Sequence, residues 1–281
     1  MFLTEQHLFL YLLSSAKNIL KLDIYQIDAF TNKMFGGNPA CVVQLQEWLE
    51  NDLLLKIATE NAVAETAFFI IRDDKIQLRW FTPEIEMDLC GHATLATAHC
   101  LKTILNLKSN HFIFETLSGD INVTVDKNLY SLDLPSRMPI GVTLPVNIQK
   151  SLNIQPIEVL KSRDYVLIYE NEAQVKGIKI NRQYFDEINL GTGGVIVTAK
   201  GDDCDFVSRF FTPQASILED PVTGSAHCSL VPYWAKILNK KELHALQVSE
   251  RMGKLHCIDK GERIIIKGQA KTYSVGTLWT E

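Results

Sequence analysis

The chain has 281 residues, of which 46% are hydrophobic and 22% are charged, and its formal net charge is −5. This length suffices for one large domain or two of about 140 residues, each able to bury its own core. The acidic balance, without any block of like charges, argues against nucleic acid or an anionic membrane as the main partner. Six cysteines without a C-x-x-C pair argue against a zinc site or a disulfide scaffold and fit a reducing cytosol.

The first 22 residues are predicted to form an N-terminal extension ahead of the compact fold. Residues 8–13 (LFLYLL) have some likeness to a secretory signal, but Glu5 precedes them and no Lys or Arg does. The segment is therefore interpreted as an extension, or as the result of a start codon assigned too early. No stretch approaches the roughly 18 apolar residues that a membrane helix needs.

The next part of the chain is typical of strands arranged around helices. An alternating pattern predicts a strand at 23–30, and Asp52 is a candidate N-cap for a helix that runs to Ala62. An almost wholly apolar segment at 92–105 predicts a helix that is buried on every side. Further strands are expected at 40–43, 66–71, 76–81, 112–116, 121–125 and 129–134.

Three prolines, at 135, 139 and 145, mark a connection, and we place a domain boundary there. The pattern then repeats, with a helix at 225–238 and strands near 165–169, 193–199, 204–211, 262–267 and 272–278. Strands grouped around single helices indicate an α+β class instead of regular βαβ winding. The predicted half-domains are residues 23–134 together with 271–281, and residues 135–270.

Two stretches of the sequence echo each other. Residues 79–83 (RWFTP) lead into 90–94 (CGHAT), and residues 209–213 (RFFTP) lead into 220–227 (DPVTGSAH). Each copy is typical of a strand, a Thr-Pro turn, a polar loop and a glycine that opens an apolar helix. We therefore expect two similar half-domains whose loops face each other across a cleft, with different polar groups on its two sides.

Gly91 and Gly224 each stand at the predicted N-terminus of a helix, with Ser225 next to the second glycine. Such an end offers backbone N–H groups and the positive end of the helix dipole, which attract carboxylates and developing negative charge. If both ends face one cleft, they form a site for a small anionic ligand. The alternative is that they are simply two capped core helices.

Glu65 interrupts an apolar run between a predicted helix and a predicted strand. A buried carboxylate without a partner is unfavourable, and its pKa rises. A raised pKa suits a general acid or base near neutral pH. The alternative is that Glu65 reaches solvent or caps a backbone amide at the junction.

Three more side chains are candidates for chemistry. Asp220 either accepts a hydrogen bond from a ligand or a helix-end amide, or is an ordinary turn aspartate. His92 either shuttles a proton or is structural. Cys90, directly before a helix, is a candidate thiolate of lowered pKa. The chain has no P-loop, no G-x-G-x-x-G after a strand and no H-E-x-x-H, so no cofactor and no metal are expected.

The chain resembles the PhzF family of phenazine-biosynthesis-like isomerases over nearly everything from Asp23 to the C-terminus. The motifs that carry the resemblance are residues 28–31 (DAFT), 35–40 (FGGNPA), 64–67 (AETA), 81–83 (FTP), 88–94 (DLCGHAT) and 219–226 (EDPVTGSA). The resemblance implies the fold of diaminopimelate epimerase. In that fold each of two similar half-domains is a curved, mostly antiparallel sheet around a central helix, and the active site lies in the cleft between them.

The resemblance also implies a proton shift on a small carboxylate-bearing amino- or hydroxy-acid metabolite, without metal or cofactor. The family's catalytic glutamate matches Glu65, and its histidine, aspartate and serine match His92, Asp220 and Ser225. Glu65 would remove a proton from carbon and return it elsewhere on the same molecule, while the helix-end amides and Ser225 would bind the carboxylate. Family members also suggest a homodimer.

Two alternatives stay open. Cys90 resembles the first cysteine of the related epimerases and proline racemases, which use two, so a two-base racemase or epimerase is one alternative. Asp220 stands near the place of the second cysteine, which weighs against that chemistry. The other alternative is a non-catalytic protein that binds a metabolite on the same fold.

Overall fold

The computed structural model describes residues 19–73 and 75–280. Its first elements place every strand predicted there within three residues of its expected ends. They are β1 (Leu20–Ala29), β2 (Asn38–Gln44), α1 (Asn51–Asn61), β3 (Glu65–Arg72), β4 (Lys75–Phe81), β5 (Glu86–Met87), α2 (Gly91–His99), β6 (His111–Thr116), β7 (Gly119–Asp126) and β8 (Leu129–Pro135). Most of the predicted N-terminal extension, residues 1–18, lies outside the described residues.

The later elements include several that the sequence patterns did not predict, among them three short helices and a strand pair after α6. They are β9 (Ile140–Gly141), α3 (Val146–Ser151), β10 (Glu158–Lys161), β11 (Tyr165–Ile168), α4 (Glu172–Gly177), α5 (Arg182–Phe185), β12 (Val195–Lys200), β13 (Phe206–Phe211), β14 (Glu219–Asp220), α6 (His227–Leu238), β15 (Glu242–Gln247), β16 (Gly253–Asp259), β17 (Arg263–Gly268) and β18 (Ala270–Thr280).

The two sets of strands pair in the same order. In the first, β1–β2 is antiparallel, β2–β3 parallel, β3–β4 antiparallel and β4–β6 parallel, and β6, β7 and β8 form an antiparallel meander. In the second, β10–β11, β11–β12, β12–β13 and β13–β15 repeat that sequence of directions, and β15, β16 and β17 repeat the meander. The structure therefore confirms an α+β fold built twice.

Three antiparallel pairings tie the repeats together. β8 pairs with β17, so the last strands of the two meanders are neighbours. β18 pairs with β1 along almost its whole length, and β9 pairs with β10. β9 follows the last strand of the first repeat and pairs within the second, and β18 follows the last strand of the second repeat and pairs within the first. Each repeat therefore contains one strand from the segment that follows the other repeat. The half-domain limits given above remain a prediction.

The central helix of each repeat is buried. Every residue of α2 is buried, as its apolar composition predicts, and Ala93, Ala96 and Ala98 leave room for the sheet to pack closely around it. The predicted helix at 92–105 is α-helical only to His99, because a π-helical turn follows at Cys100–Ile104. The second central helix, α6, begins at His227, two residues later than predicted.

Helix α1 covers the outer face of β3 and packs Leu54 and Ile57 against Phe68. The prediction that Asp52 caps this helix was wrong. The N-cap position is occupied by Glu50, which makes no side-chain capping bond, and Asp52 lies in the first turn. A negative charge there is still favourable, because it faces the positive end of the helix dipole. Among the described residues, no helix is long and apolar enough to span a bilayer.

Candidate active site

The N-terminal ends of the two central helices touch. A Cβ atom built on Gly91 would lie 2.9 Å from the Cα of Gly224, and one built on Gly224 would lie 2.8 Å from the Cα of Gly91. Any side chain at either position would collide with the opposite backbone. The duplicated loops therefore meet at their glycines, which brings the N-terminal end of α2 against the turn that leads into α6. Before α6, the chain from Gly224 forms a tighter turn, in which His227 N donates to Gly224 O over 3.1 Å.

A cavity of about 260 Å³ lies at this junction. This volume is close to the lower end of typical small-molecule sites. Its lining includes all seven residues singled out from the sequence: Glu65, Cys90, Gly91, His92, Asp220, Gly224 and Ser225. The rest of the wall is largely apolar and includes Ile85, Met87, Leu89, Phe210 and Ile217. The cavity suits a small molecule with an apolar body and a few polar groups.

Glu65 is the first residue of β3 and is buried at the cavity wall. Burial, and then the charge of Asp220, raise the pKa of its carboxyl group well above the ordinary value. Its Oε2 lies 3.2 Å from Nε2 of His92, but the two atoms lack the alignment of a hydrogen bond. Within the described part of the chain, both atoms are buried without a hydrogen-bond partner. Two orphaned polar atoms on a cavity wall indicate a place for a ligand's polar group.

His92 is the second residue of α2 and is 1% exposed. Burial lowers the pKa of its imidazole to about 4, so the ring is neutral at neutral pH. Its Nδ1 lies 3.1 Å from Nδ2 of Asn38, and its other nitrogen faces Glu65. A neutral imidazole donates from one nitrogen and accepts at the other, so His92 is suited to hold a substrate group in a fixed orientation.

Cys90 does not fit the expectation of a thiolate with a lowered pKa. It is 3% exposed, and burial followed by the charge of Glu65 raises the pKa of its thiol well above the ordinary value. The helix end cannot offset the loss of water and the nearby carboxyl group. Its Sγ lies 3.5 Å from Nδ1 of His92. The residue before Gly224, which is the counterpart of Cys90, is Thr223.

Asp220 is held by a network from both halves of the chain. Its Oδ1 accepts from Asn38 Nδ2 over 2.6 Å, and its Oδ2 accepts from the Thr223 hydroxyl. Gln247 donates to the backbone carbonyl of Asp220 over 2.7 Å and accepts from Thr223 N over 2.8 Å. The carboxylate therefore keeps one orientation beside the cavity.

Arg163, between β10 and β11, is a cavity residue that the sequence analysis missed. Its Nη2 donates to Ser225 Oγ over 2.8 Å and to Asp164 Oδ2 over 3.1 Å, and its side chain is 13% exposed. A guanidinium group beside Ser225 adds a charged hydrogen-bond donor to this side of the cleft, with its charge partly balanced by the carboxylate of Asp164. A lone arginine in a turn carries no pattern that would reveal this role before the fold is known.

Asn38 is a second residue whose role the sequence analysis missed, although it lies in the motif at residues 35–40. It is fully buried at the start of β2 and contacts both His92 and Asp220.

Among the described residues, Glu65, Cys90 and His92 form the group whose potential metal-ligand atoms lie within 4.8 Å of one another. Burial disfavours the thiolate that such a cation would require.

Comparison with known proteins decides the family. The family model described as "Phenazine biosynthesis-like protein" matches residues 27–276. The chain belongs to the phenazine biosynthesis-like (PhzC-PhzF) family. An uncharacterized isomerase of Pseudomonas aeruginosa is 44% identical over 260 residues, which cover 92% of this chain and 99% of that protein. This PhzC-PhzF family member is therefore an isomerase.

Solved structures support the same family and fold. The crystal structure of a PhzF-family protein from Enterococcus faecalis has a TM-score of 0.85 and 41% identity, and covers 93% of this chain and 100% of its own. A hydroxyproline epimerase from Agrobacterium vitis has a TM-score of 0.58 at 9% identity, and covers 94% of this chain and 93% of its own. The second likeness concerns the fold alone, and it fits the predicted relation to the epimerases.

Proposed function

We propose that this PhzC-PhzF family isomerase moves a proton between two positions of a small carboxylate-bearing metabolite, with Glu65 as the acid–base group. The observation that carries the proposal is the buried carboxyl group of Glu65, whose unpartnered Oε2 lies at the wall of a mostly apolar cavity. In such surroundings the carboxylate is a stronger base than in water.

The remaining cavity groups suit binding and polarisation. His92 and Asp220, each held by Asn38, would hold polar substituents of the substrate next to Glu65. A substrate carboxylate would accept from the N–H groups at the ends of α2 and α6 and from Ser225, with Arg163 supplying charge. Glu65 would take a proton from carbon, and the resulting acid, after exchange with solvent, would return a proton to another atom of the same substrate. No separate donor is needed for this balance.

The test is solvent-deuterium incorporation into a panel of small amino- and hydroxy-carboxylates, measured by mass spectrometry. The panel includes dihydro-anthranilate analogues. The wild type should incorporate deuterium into at least one compound. Glu65→Gln should still bind that compound but incorporate deuterium about 10²- to 10⁴-fold more slowly. The exposed control Glu60→Gln should match the wild type. Full turnover by Glu65→Gln would remove Glu65 from this role.

A compound that binds tightly in the cleft but takes up no deuterium with the wild type would support the alternative of a metabolite-binding protein. The two-base alternative gains no support from the site, because burial raises the pKa of the Cys90 thiol and Thr223 stands at the matching place. The class of substrate, the homodimer and the cytosolic location remain predictions.

A further inference from the structure

We propose that Asn38 is a positioning residue that fixes the tautomer of His92 and links the two cleft walls. This inference deepens the proposed function, because it names what directs the His92 N–H toward the acid–base group. Asn38 does not line the cavity and would not touch the substrate. Its role is exerted through His92 and Asp220.

The orientation of the Asn38 amide is determined by its partners. Its Nδ2 lies 2.6 Å from Asp220 Oδ1 and 3.0 Å from the backbone oxygen of Val222. A carboxylate oxygen and a carbonyl oxygen only accept, so the NH₂ group must face them. The reverse orientation would place the amide oxygen against both acceptors inside a fully buried site.

The third contact of the same nitrogen decides the tautomer. Asn38 Nδ2 lies 3.1 Å from His92 Nδ1, so its two hydrogens are shared among this nitrogen and the two oxygen acceptors, and an amide NH₂ group has no lone pair with which to accept. A proton on Nδ1 would therefore point at a donor. The other neighbour of Nδ1 is Sγ of Cys90 at 3.5 Å, a weak acceptor at most. His92 must accept at Nδ1 and carry its proton on Nε2, the atom that lies 3.2 Å from Glu65 Oε2.

Asn38 itself is held by a clamp from the other repeat. Arg251 donates to the backbone oxygen of Gly37 over 2.9 Å and to the buried carboxylate of Asp28 over 2.8 Å. Gly37 has a φ of +63°, and a Cβ there would lie within 2.1 Å of the Ala29 carbonyl oxygen, so the turn accepts glycine alone. The Gly-Gly-Asn segment is thereby fixed against the loop that precedes β16.

The tautomer decides whether His92 presents a hydrogen-bond donor or an acceptor to the substrate. The Nε2–H group of His92 can donate to a substrate oxygen beside Glu65, whereas the opposite tautomer would present a lone pair there. One asparagine also bonds to groups from both repeats and so links His92 directly to Asp220.

The direct test is NMR of the full chain with histidine carrying the magnetic nitrogen isotope, with the His92 signals assigned by their loss in His92→Gln. The wild type at neutral pH should show a pyridine-type Nδ1 and a protonated Nε2. A protonated Nδ1 would overturn the proposal. This readout needs no substrate, so its failure is distinguishable from failure of the proposed function.

Variants then test the cause. Asn38→Leu removes the donor, keeps a side chain of similar size and adds no second carboxyl group beside Asp220, so it should release His92 to a mixture of tautomers with a roughly 10²-fold lower kcat and a smaller change in KM. Asn61→Leu is the matched control, because Asn61 bonds to Thr66 away from the cavity and should keep the wild-type tautomer and rate. An unchanged His92 tautomer in a folded Asn38→Leu protein would contradict the role of Asn38.

Discussion

The two loops that meet at the cleft share a scaffold but differ in chemistry. In the first, Arg79 binds Glu86 over 2.7 Å and its guanidinium group lies 5.1 Å from the ring centre of Phe81. In the second, Arg209 binds Glu219 over 2.7 Å and lies 4.9 Å from the ring centre of Phe211. Thr82 and Thr212 each donate a backbone N–H over 2.9 Å to close the turn. These common contacts shape the loops and place the glycines.

The strand registers show where the chemistry differs. Thr66 pairs with Phe81, and Val195 pairs with Phe211, so Glu65 and Gly194 occupy equivalent places. By the same comparison the counterparts of Met87, Cys90 and His92 are Asp220, Thr223 and Ser225. A duplicated frame thus carries the proposed acid–base group on one wall and Ser225, with its partner Arg163, on the other. Two equal walls would favour a symmetric pair of bases instead.

The largest expected effect comes from the shared frame. Gly224→Ala should lower the free energy of unfolding by about 3 kcal/mol and abolish activity, because the new methyl group would overlap Gly91. Gly141→Ala is the control, since a Cβ there meets no atom within 4 Å and should change stability by less than about 0.5 kcal/mol. Urea unfolding measures both. Equal stability of the two variants would show that the helix ends are not in contact.

The central helices should make the protein sensitive to acid. Burial lowers the pKa of His99 in α2 and of His227 in α6 from 6.5 to about 4. Between pH 4 and 6.5 the unfolded chain therefore binds more protons than the folded chain. The free energy of unfolding is highest above pH 6.5 and falls as the pH is lowered toward 4. For the fully buried His227 the loss is on the order of 3 kcal/mol.

His227→Gln should flatten the dependence of unfolding free energy on pH in that window. The exposed control His111→Gln should leave it unchanged. Chemical denaturation at several pH values measures the slope, and an unaltered slope in His227→Gln would mean that His227 is not held neutral.

Asp220→Asn tests the electrostatic link across the cleft. Because the charge of Asp220 raises the pKa of Glu65, its removal should move the acid limb of the kcat/KM profile to lower pH. Loss of a charge-assisted bond to Asn38 should also lower the rate roughly 10-fold. The exposed control Asp126→Asn should keep the wild-type profile. An acid limb that stays in place in Asp220→Asn would show that the two walls are not coupled.

The smallest expected effect is the difference in stability between a substitution of Arg209 and one of Arg79. Arg209 also donates to the carbonyls of Val175, Lys176 and Ile178 at the end of α4, over 3.2, 3.2 and 2.9 Å. Among the described residues, Arg79 has one further hydrogen-bond partner, Asn51, over 2.8 Å. Arg209→Lys should therefore lower stability by about 2 kcal/mol and Arg79→Lys by about 1 kcal/mol, measured by urea unfolding. The reverse order would contradict the comparison.

The sequence predicted much of this site because its chemistry lies in local motifs. Glu65 stood out as a charge in an apolar run, and Gly91 and Gly224 stood out through their repeated context. Arg163 and the role of Asn38 could not be predicted, because their partners lie 62 and 182 residues away along the chain. The pKa of Cys90 was predicted in the wrong direction for a related reason. Its position before a helix predicts a lowered pKa, but the burial that raises the pKa depends on the folded structure.

The short helices between β9 and β12 were missed because each lies among turns. Each is also shorter than two helical turns, so its sequence shows no clear helical periodicity. Asn171 and Asn181 cap α4 and α5 by accepting from Gln174 N and Gln183 N. These are signals of a helix start, but neither is followed by a long apolar periodicity. The long strands and the buried central helices, with strong patterns, were predicted within a few residues at most ends.

The central claim is that one acid–base group on one wall does the chemistry. Initial rates of solvent-deuterium incorporation should be compared for the wild type, Glu65→Gln and Cys90→Ser, using a compound that the wild type labels. We expect Glu65→Gln to lose the activity and Cys90→Ser to retain it within about 10-fold. Loss of incorporation in Cys90→Ser with retention in Glu65→Gln would contradict the account and favour thiol chemistry.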